Sequence, residues 1–153
     1  MGTYVVTGSA SGLGAATLTR LQGLGHRVIG VDQHEAEIVA DLATPDGRER
    51  AVRASIAASD GRLEGVVSCA GLAPFHDTSA ITRVNYFGAI AVLDGLRGAL
   101  QAGDHPAAVG IATSPHRVCS PPLNDLNFWK SGWHREGRRP GCRREGTHLN
   151  SLH

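Results

Sequence analysis

The sequence predicts an α/β protein whose parallel sheet is doubly wound, with helices on both faces. Short runs of apolar, largely β-branched residues alternate with segments of helical spacing, at distances that suit crossover connections. The first such run leads into a glycine-rich stretch, VVTGSASGLG (5–14), which opens a helical segment. The chain has 153 residues, 41% hydrophobic and 19% charged, which is typical of a globular protein.

The individual elements follow from local patterns. Buried strands are predicted where short apolar runs end on small residues, and helices where apolar positions recur every three to four residues. Thr44 followed by Pro45 is typical of a helix start. The predicted strands are residues 3–7, 26–32, 63–71 and 106–113, with a short extended piece at 35–42. The predicted helices are 13–24, 44–59 and one long helix from Ser79 to Ala102. The first has apolar positions close to helical spacing at Leu13, Ala16, Leu18, Leu21 and Leu24.

The glycine-rich stretch lies where an α/β sheet binds the pyrophosphate of a dinucleotide. Free N–H groups at a helix N-terminus attract phosphate, and glycines let the backbone turn tightly and approach it. The spacing here is T-G-x-x-x-G-x-G, which differs from G-x-G-x-x-G. An ordinary glycine-rich turn is the alternative, and the position between a strand and a helix favours the nucleotide site. The candidate cofactor-binding residues are Gly8, Ser9, Ala10, Ser11, Gly12, Leu13 and Gly14.

Asp32 ends the second predicted strand, 18 residues after Gly14. A carboxylate at this position accepts hydrogen bonds from the adenosine ribose hydroxyls and repels a 2′-phosphate. No lysine or arginine stands at position 33 or in the glycine-rich stretch. The sequence therefore favours NAD over NADP, with a solvated acid at a strand end as the alternative.

Several motifs together resemble the short-chain dehydrogenase/reductase family. They are the glycine motif at Thr7–Gly14, Asp41–Leu42, Cys69–Gly71 in place of the family's N-A-G, and Asn85 within VNYFG. The resemblance covers about residues 1–113 and implies a Rossmann-like NAD-binding fold. It also implies that Asp41 and Leu42 lie beside the adenine and that Asn85 takes part in a proton relay. An alternative for Asn85 is hydrogen bonding within its own helix. The further cofactor-binding residues that the resemblance implies are Asp41, Leu42, Ala70 and Gly71.

The resemblance also implies an NAD-dependent oxidoreductase; members of the family are homo-oligomers, and the oligomeric state of this form is left open. The stretch GVDQHEAEIVADLATPDGRERAV, with CAGLAP and VNYFGA, is similar to family members that act on hydroxysteroid and carbonyl or alcohol substrates. The implied partner is therefore a small-molecule substrate.

The family's catalytic tyrosine and lysine are not present as a pair. The family uses Y-x-x-x-K, in which neighbouring cations lower the pKa of the phenol so that it works as a general acid/base. The two tyrosines of this sequence, Tyr4 and Tyr86, do not begin such a motif. The single lysine is Lys130, and the residue four positions before it is Leu126.

The family's substrate-orienting serine falls at or near Thr113 and Ser114, at the end of the fourth predicted strand. Either hydroxyl can orient a substrate oxygen, but neither is acidic enough to replace the tyrosine. The resemblance therefore implies an oxidoreductase by descent with a C-terminally truncated fold. This chain as it stands is expected to be poorly active or inactive.

The composition changes near Ser114, which predicts a domain boundary. Residues 1–114 are expected to form the dinucleotide-binding domain, and residues 115–153 an irregular basic tail, frameshifted or disordered. The tail has seven basic residues against three acidic ones. Its RRPGCRRE cluster is interpreted as solvated rather than as a nucleic-acid site. No metal site is expected, because the tail's four candidate ligands match no zinc spacing: Cys119, His134, Cys142 and His148.

Cysteine usage and hydropathy favour a cytoplasmic protein. Three cysteines without C-x-x-C spacing suit a reducing compartment, and Cys69 is interpreted as a small packing residue. His26 and His34 are interpreted as surface residues. No 18-residue apolar run and no signal peptide are evident, so no membrane contact is expected.

Two alternatives to the oxidoreductase remain open from the sequence. One is a non-catalytic NAD-binding or interaction module with a genuine basic tail. The other is a Rossmann-like domain for a different nucleotide, which Asp32 and Asp41–Leu42 disfavour.

Overall fold

The computed structural model describes residues 1–73 and 76–111, which lie within a unit that spans Met1–Thr113. Five strands form one sheet in the order β3-β2-β1-β4-β5, and every pairing is parallel. From the central strand the chain runs outward to β2 and β3 and then crosses to β4 and β5. This arrangement confirms the predicted doubly wound α/β fold. The strands are β1 (Thr3–Thr7), β2 (Arg27–Asp32), β3 (Ile38–Val39), β4 (Gly65–Ser68) and β5 (Ala107–Gly110).

Helices connect the strands, as the sequence predicts. The start of the second helix agrees with its predicted cap, because the Thr44 hydroxyl accepts a hydrogen bond of 3.0 Å from the Gly47 N–H. The helices are α1 (Gly12–Gly23), α2 (Pro45–Ala58), α3 (Thr78–Ile81), α4 (Ala89–Gly95) and α5 (Arg97–Gln101).

The prediction of one long helix from Ser79 to Ala102 is wrong. A π-helical segment, Thr82–Gly88, separates α3 from α4, and a break at Leu96 separates α4 from α5. The backbone of Leu96 has φ −91° and ψ 0°, outside the helical region, while its side chain is fully buried. Gly95 packs closely on α2, where an added Cβ would lie 2.6 Å from a methyl carbon of Val52. Helical periodicity reports neither this break nor the close contact of Gly95 with α2.

The apolar positions of α1 are unequally covered: Leu18 and Leu21 are half-buried and the other three are exposed. Leu13 and Leu24 are 57% and 54% exposed, and Ala16 is exposed as well. Spacing predicted the helix but not which of its apolar residues are covered. Three predicted strands are shorter in the structure. Of residues 35–42 only Ile38–Val39 pair, the strand predicted at 63–71 is Gly65–Ser68, and the pairing of the fourth predicted strand ends at Gly110.

The main hydrophobic core joins one face of the sheet to α2, α4 and α5. Alternate strand residues such as Val5 and Ile29 point into it. Their neighbours Val6 and Gly30 point to the other face, where Leu18 of α1 packs over Gly30. The core residues are Val5, Ile29, Val31, Ile38, Ala40, Leu42, Ala51, Leu63, Val66, Val92, Leu96, Ala99 and Leu100. The carboxyl ends of β1, β2 and β4 therefore meet at one edge, and the loops that follow them form the candidate site.

Candidate functional site

The loop between β1 and α1 passes very close to two other parts of the backbone. Gly8 has φ +69°, and a Cβ there would lie 2.9 Å from the Cα of Ala70. A Cβ on Gly14 would lie only 2.0 Å from the Gly8 carbonyl oxygen. Gly12 has φ +52° with open space around it, so the backbone conformation, not crowding, favours glycine there. The three glycines therefore have three separate physical roles in one turn.

The first turn of α1 presents free N–H groups. Ser11 is the N-cap residue, but its side chain makes no capping hydrogen bond. Within the described residues, the backbone N–H groups of Ser11, Gly12, Leu13 and Gly14 have no acceptor. Leu13 is more than half exposed, so solvent reaches this turn. The start of α1 can therefore accept an anion, with the positive end of the helix dipole behind it.

The carboxylate of Asp32 lies beside this loop. Its Oδ2 accepts a hydrogen bond of 3.1 Å from the Ala10 N–H, and its Oδ1 accepts one of 3.2 Å from the His34 N–H. Asp32 is half-buried and His34 is exposed. The structure therefore brings the predicted acid and the predicted glycine-rich loop together through Ala10.

The loop after β4 is fixed to the end of β1 by Thr7. The Thr7 hydroxyl oxygen accepts hydrogen bonds from the N–H groups of Cys69 (3.1 Å) and Ala70 (3.0 Å), and Thr7 is fully buried. Sequence reasoning quoted Thr7 within the glycine motif but assigned it no role. The available sequence signal was a threonine that ends a predicted buried strand and directly precedes a glycine.

The thiol of Cys69 is a poor candidate for a nucleophile. Burial raises the pKa of this thiol above its ordinary value, and a side-chain hydrogen bond with Thr17 lowers it to a smaller extent. The thiol therefore stays protonated near neutral pH, when only the thiolate reacts. This agrees with its interpretation as a packing residue.

Asn85 connects the π-helical segment to the loop after β4. Its side-chain Oδ1 accepts a hydrogen bond of 2.7 Å from the Leu72 N–H, and its Nδ2 donates one of 3.1 Å to the Leu72 carbonyl oxygen. A Cβ on Gly71 would lie 3.4 Å from the same Oδ1. The amide thus bonds to another loop and not within its own helix. π-Helical segments occur frequently at functional sites.

Asp41 and Leu42 differ in their surroundings. Asp41 is exposed, and its Oδ1 accepts a hydrogen bond of 2.9 Å from the Ala43 N–H. The side chain of Leu42 is buried in the core, where a Cβ on Gly88 would lie 3.1 Å from its own Cβ. Only the carboxylate of this pair is therefore free to face solvent.

Other predicted groups fall elsewhere. Thr113 and Ser114 lie outside the described residues, as do all four candidate metal ligands of the tail. In residues 1–73 and 76–111, no group of three or more histidine, cysteine, aspartate or glutamate side chains is placed to hold a metal ion. None of the helices described is long and apolar enough to cross a membrane. His26, which was predicted to lie at the surface, is partly buried. Its Nδ1 accepts a hydrogen bond from the Gly2 N–H, and its ring contacts Tyr4.

Comparison with curated proteins finds relatives that are dehydrogenases. The chain is 40% identical to the 3-alpha-hydroxysteroid dehydrogenase/carbonyl reductase of Comamonas testosteroni, over 114 residues that cover 74% of this chain and 44% of that protein. It is 32% identical to a coniferyl-alcohol dehydrogenase of a Pseudomonas strain, over 105 residues that cover 65% of this chain and 40% of that protein. No protein-family model matches.

Two solved structures to which this chain is similar are also dehydrogenases or oxidoreductases. The 3-alpha-hydroxysteroid dehydrogenase from Pseudomonas sp. B-0831, complexed with NADH, superposes with a TM-score of 0.66 at 49% identity, covering 69% of this chain and 45% of that one. A short-chain dehydrogenase/reductase family oxidoreductase from Brucella ovis, in complex with a partially ordered NAD, has a TM-score of 0.57 at 25% identity, covering 66% of this chain and 58% of that one.

The chain belongs to the short-chain dehydrogenase/reductase family. Within that family it is similar in particular to 3-alpha-hydroxysteroid dehydrogenases, and it spans less than half the length of the two curated relatives named above.

Proposed function

We propose that this chain binds NAD at the loop between β1 and α1, as part of an oxidoreductase for hydroxysteroid or carbonyl and alcohol substrates. One observation carries the proposal: the free N–H groups that begin α1 adjoin the Asp32 carboxylate, and the Ala10 N–H bonds directly to that carboxylate. An anion acceptor and a hydroxyl acceptor side by side match the pyrophosphate and the adenosine ribose of a dinucleotide.

The residues present fit NAD chemically. The N–H groups of Ser11–Gly14 would hold the pyrophosphate, and Gly8 and Gly14 leave no side chain where the backbones approach. Asp32 would accept the ribose hydroxyls, and Ala70 and Gly71 would line the site without bulk. NAD supplies the group that accepts or donates a hydride. Two similar structures contain NADH or NAD, which supports the same cofactor here.

The substrate class rests on the relatives, whose names specify a 3-alpha-hydroxysteroid, a carbonyl compound and coniferyl alcohol. In this chain we propose that Asn85 fixes the loop after β4, and that Thr113 or Ser114 orients a substrate oxygen. None of these groups transfers a proton near neutral pH as readily as a phenol with a lowered pKa. Because the sequence has no Tyr-x-x-x-Lys motif, we expect NAD binding with little turnover.

The same missing motif favours a second candidate, a non-catalytic NAD-binding module.

We also propose a cytoplasmic location, since three cysteines without paired spacing suit a reducing compartment. Residues 115–153 would then be an irregular basic tail outside the nucleotide-binding domain.

Calorimetric titration of the full chain with NAD and NADP tests the cofactor. NAD should bind at least about tenfold more tightly than NADP, and Asp32→Ala should remove most of that preference. Asp94→Ala is the matched control, because it removes an exposed carboxylate from α4. Absence of NAD binding, or a preference for NADP, would contradict the proposal.

The oxidoreductase candidate predicts slow but detectable turnover of a 3α-hydroxysteroid with NAD, whereas the non-catalytic module predicts none, so this assay separates the two candidates. Binding without turnover supports the non-catalytic module. Turnover that Thr113→Ala and Ser114→Ala lower supports an enzyme that uses these hydroxyls. Robust turnover that neither substitution changes would show that the account of the missing catalytic pair is wrong.

A further inference from the structure

The side chain of Ser9 is inserted between β2 and α1. Ser9 is only 8% exposed, and its Oγ has no hydrogen-bond partner among the described residues. It lies directly over Gly30 of β2, where an added Cβ would be 2.7 Å from the Ser9 Oγ and 3.1 Å from its Cβ. The Cδ1 atom of Leu18 would lie 3.1 Å from the same added Cβ. Ser9 therefore occupies space that exists because residue 30 has no side chain.

Residue 30 is a glycine because a larger side chain would occupy the space that Ser9 fills. Its φ is not positive, so the backbone does not need glycine for its conformation. Glycine inside a strand weakens the strand and often marks a close approach of another part of the chain. Both sequence neighbours, Ile29 and Val31, are buried β-branched residues of the same strand. The close approach is that of Ser9.

The backbone on both sides of this contact is bonded to β2. The N–H groups of Gly8 and Ser9 donate to the Val31 carbonyl oxygen, at 2.9 and 3.3 Å. The next N–H, that of Ala10, donates to the Asp32 carboxylate at 3.1 Å. Three consecutive N–H groups are thus used to fix the loop to β2. The free N–H groups begin at the next residue, Ser11, so their position depends on how deeply Ser9 is inserted.

We propose that Gly30 is a positioning residue for the nucleotide site. By admitting Ser9, it sets the position of the free N–H groups that begin α1, and through them the affinity for the pyrophosphate. The affinity part of this inference rests on the proposed NAD binding, whereas the position of the loop can be measured without any ligand. Gly30 itself lies in the strand and contacts the loop only through the Ser9 side chain.

Titration of the full chain with NADH is the first measurement. Gly30→Ala should weaken NADH binding about tenfold or more, since a methyl group would force Ser9 outward and carry the following backbone with it. Ser9 is a candidate cofactor-binding residue by sequence, but its side chain is buried and its N–H donates to Val31, so the double variant Gly30→Ala with Ser9→Ala should recover most of the affinity. The 2.7 Å contact is then removed, and only the 3.1 Å contact between Cβ positions remains, which a small shift relieves.

A matched control separates positioning from a general loss of stability. Gly95→Ala creates a similar clash away from the loop, because its Cβ would lie 2.6 Å from a methyl carbon of Val52. Both glycine variants should lower the melting temperature. Only Gly30→Ala should weaken NADH binding by the folded protein and shift the amide NMR signals of residues 10–14 in the absence of ligand.

Each outcome decides one of the two proposals. Wild-type protein that fails to bind NADH refutes the proposed function, and the ligand-free amide shifts then test the position of the loop alone. Unshifted amides in Gly30→Ala, or no recovery in the double variant, would overturn the role of Gly30. Should Gly30→Ala not fold, Ser9→Thr tests the same space from the loop side, and it should weaken binding and shift the same amide signals.

Discussion

Replacing Thr7 by valine should destabilise the protein strongly for a single change of almost equal volume. The Thr7 hydroxyl oxygen accepts two hydrogen bonds, from the N–H groups of Cys69 at 3.1 Å and of Ala70 at 3.0 Å, and the residue is fully buried. Valine preserves the shape and the β-branched χ1 preference, but it leaves both N–H groups without their acceptor. The perturbation therefore isolates the polar contribution.

The expected magnitude follows from the number and burial of these N–H groups. A buried donor left without its acceptor costs about 1–3 kcal/mol. Cys69 and Ala70 are only partly buried, so the lower part of that range applies to each. We expect the free energy of unfolding to fall by about 2–3 kcal/mol in total. This corresponds to a decrease of roughly 1–2 M in the urea midpoint for a domain of this size.

Urea unfolding, followed by far-UV circular dichroism, measures this change. Thr7→Ser is the matched control, because it retains the hydroxyl and loses one methyl group, at about 1 kcal/mol. The reasoning would be refuted if Thr7→Val lay within about 0.5 kcal/mol of the wild type. It would equally be refuted if the serine variant were as unstable as the valine variant, since packing would then account for the whole effect.

Three further changes test other contacts. Asn85→Ala removes both hydrogen bonds to Leu72, and hydrogen exchange should show the Leu72 amide losing protection while β1 amides keep theirs. The pKa of Glu64 lies below its ordinary value because the carboxylate accepts backbone hydrogen bonds from His105 and Asp104, with a further contribution from Arg62. Its stabilisation is thus fully present above about pH 4.3 and is lost as the pH falls through the lowered pKa, so melting temperatures from about pH 7 to pH 3 should fall less steeply in Glu64→Gln. Thr44→Ala should cost about 1 kcal/mol in urea unfolding, with Thr44→Ser close to wild type; equal losses would contradict a capping role.

The amino-acid sequence alone was sufficient to predict the alternation of strands with helical segments and the position of the glycine-rich loop. These features are local: β-branched runs, helical spacing, a capping threonine before a proline, and glycines between a strand and a helix. Asp32 was predicted as a site residue for the same reason. It follows the glycines by one predicted helix and one predicted strand, and the structure places its carboxylate within hydrogen-bond distance of the Ala10 N–H.

Contacts between distant segments were decided by the tertiary structure. Thr7 and Ala70 are 63 positions apart, and Asn85 and Leu72 are 13 apart. In both pairs the partner is a backbone group, which every residue has and which leaves no mark in the sequence. The reason for Gly30 is likewise invisible without Ser9 above it. The break at Leu96 and the exposure of Leu13 also depend on which neighbours cover a helix, because periodicity identifies an apolar face but not what packs against it.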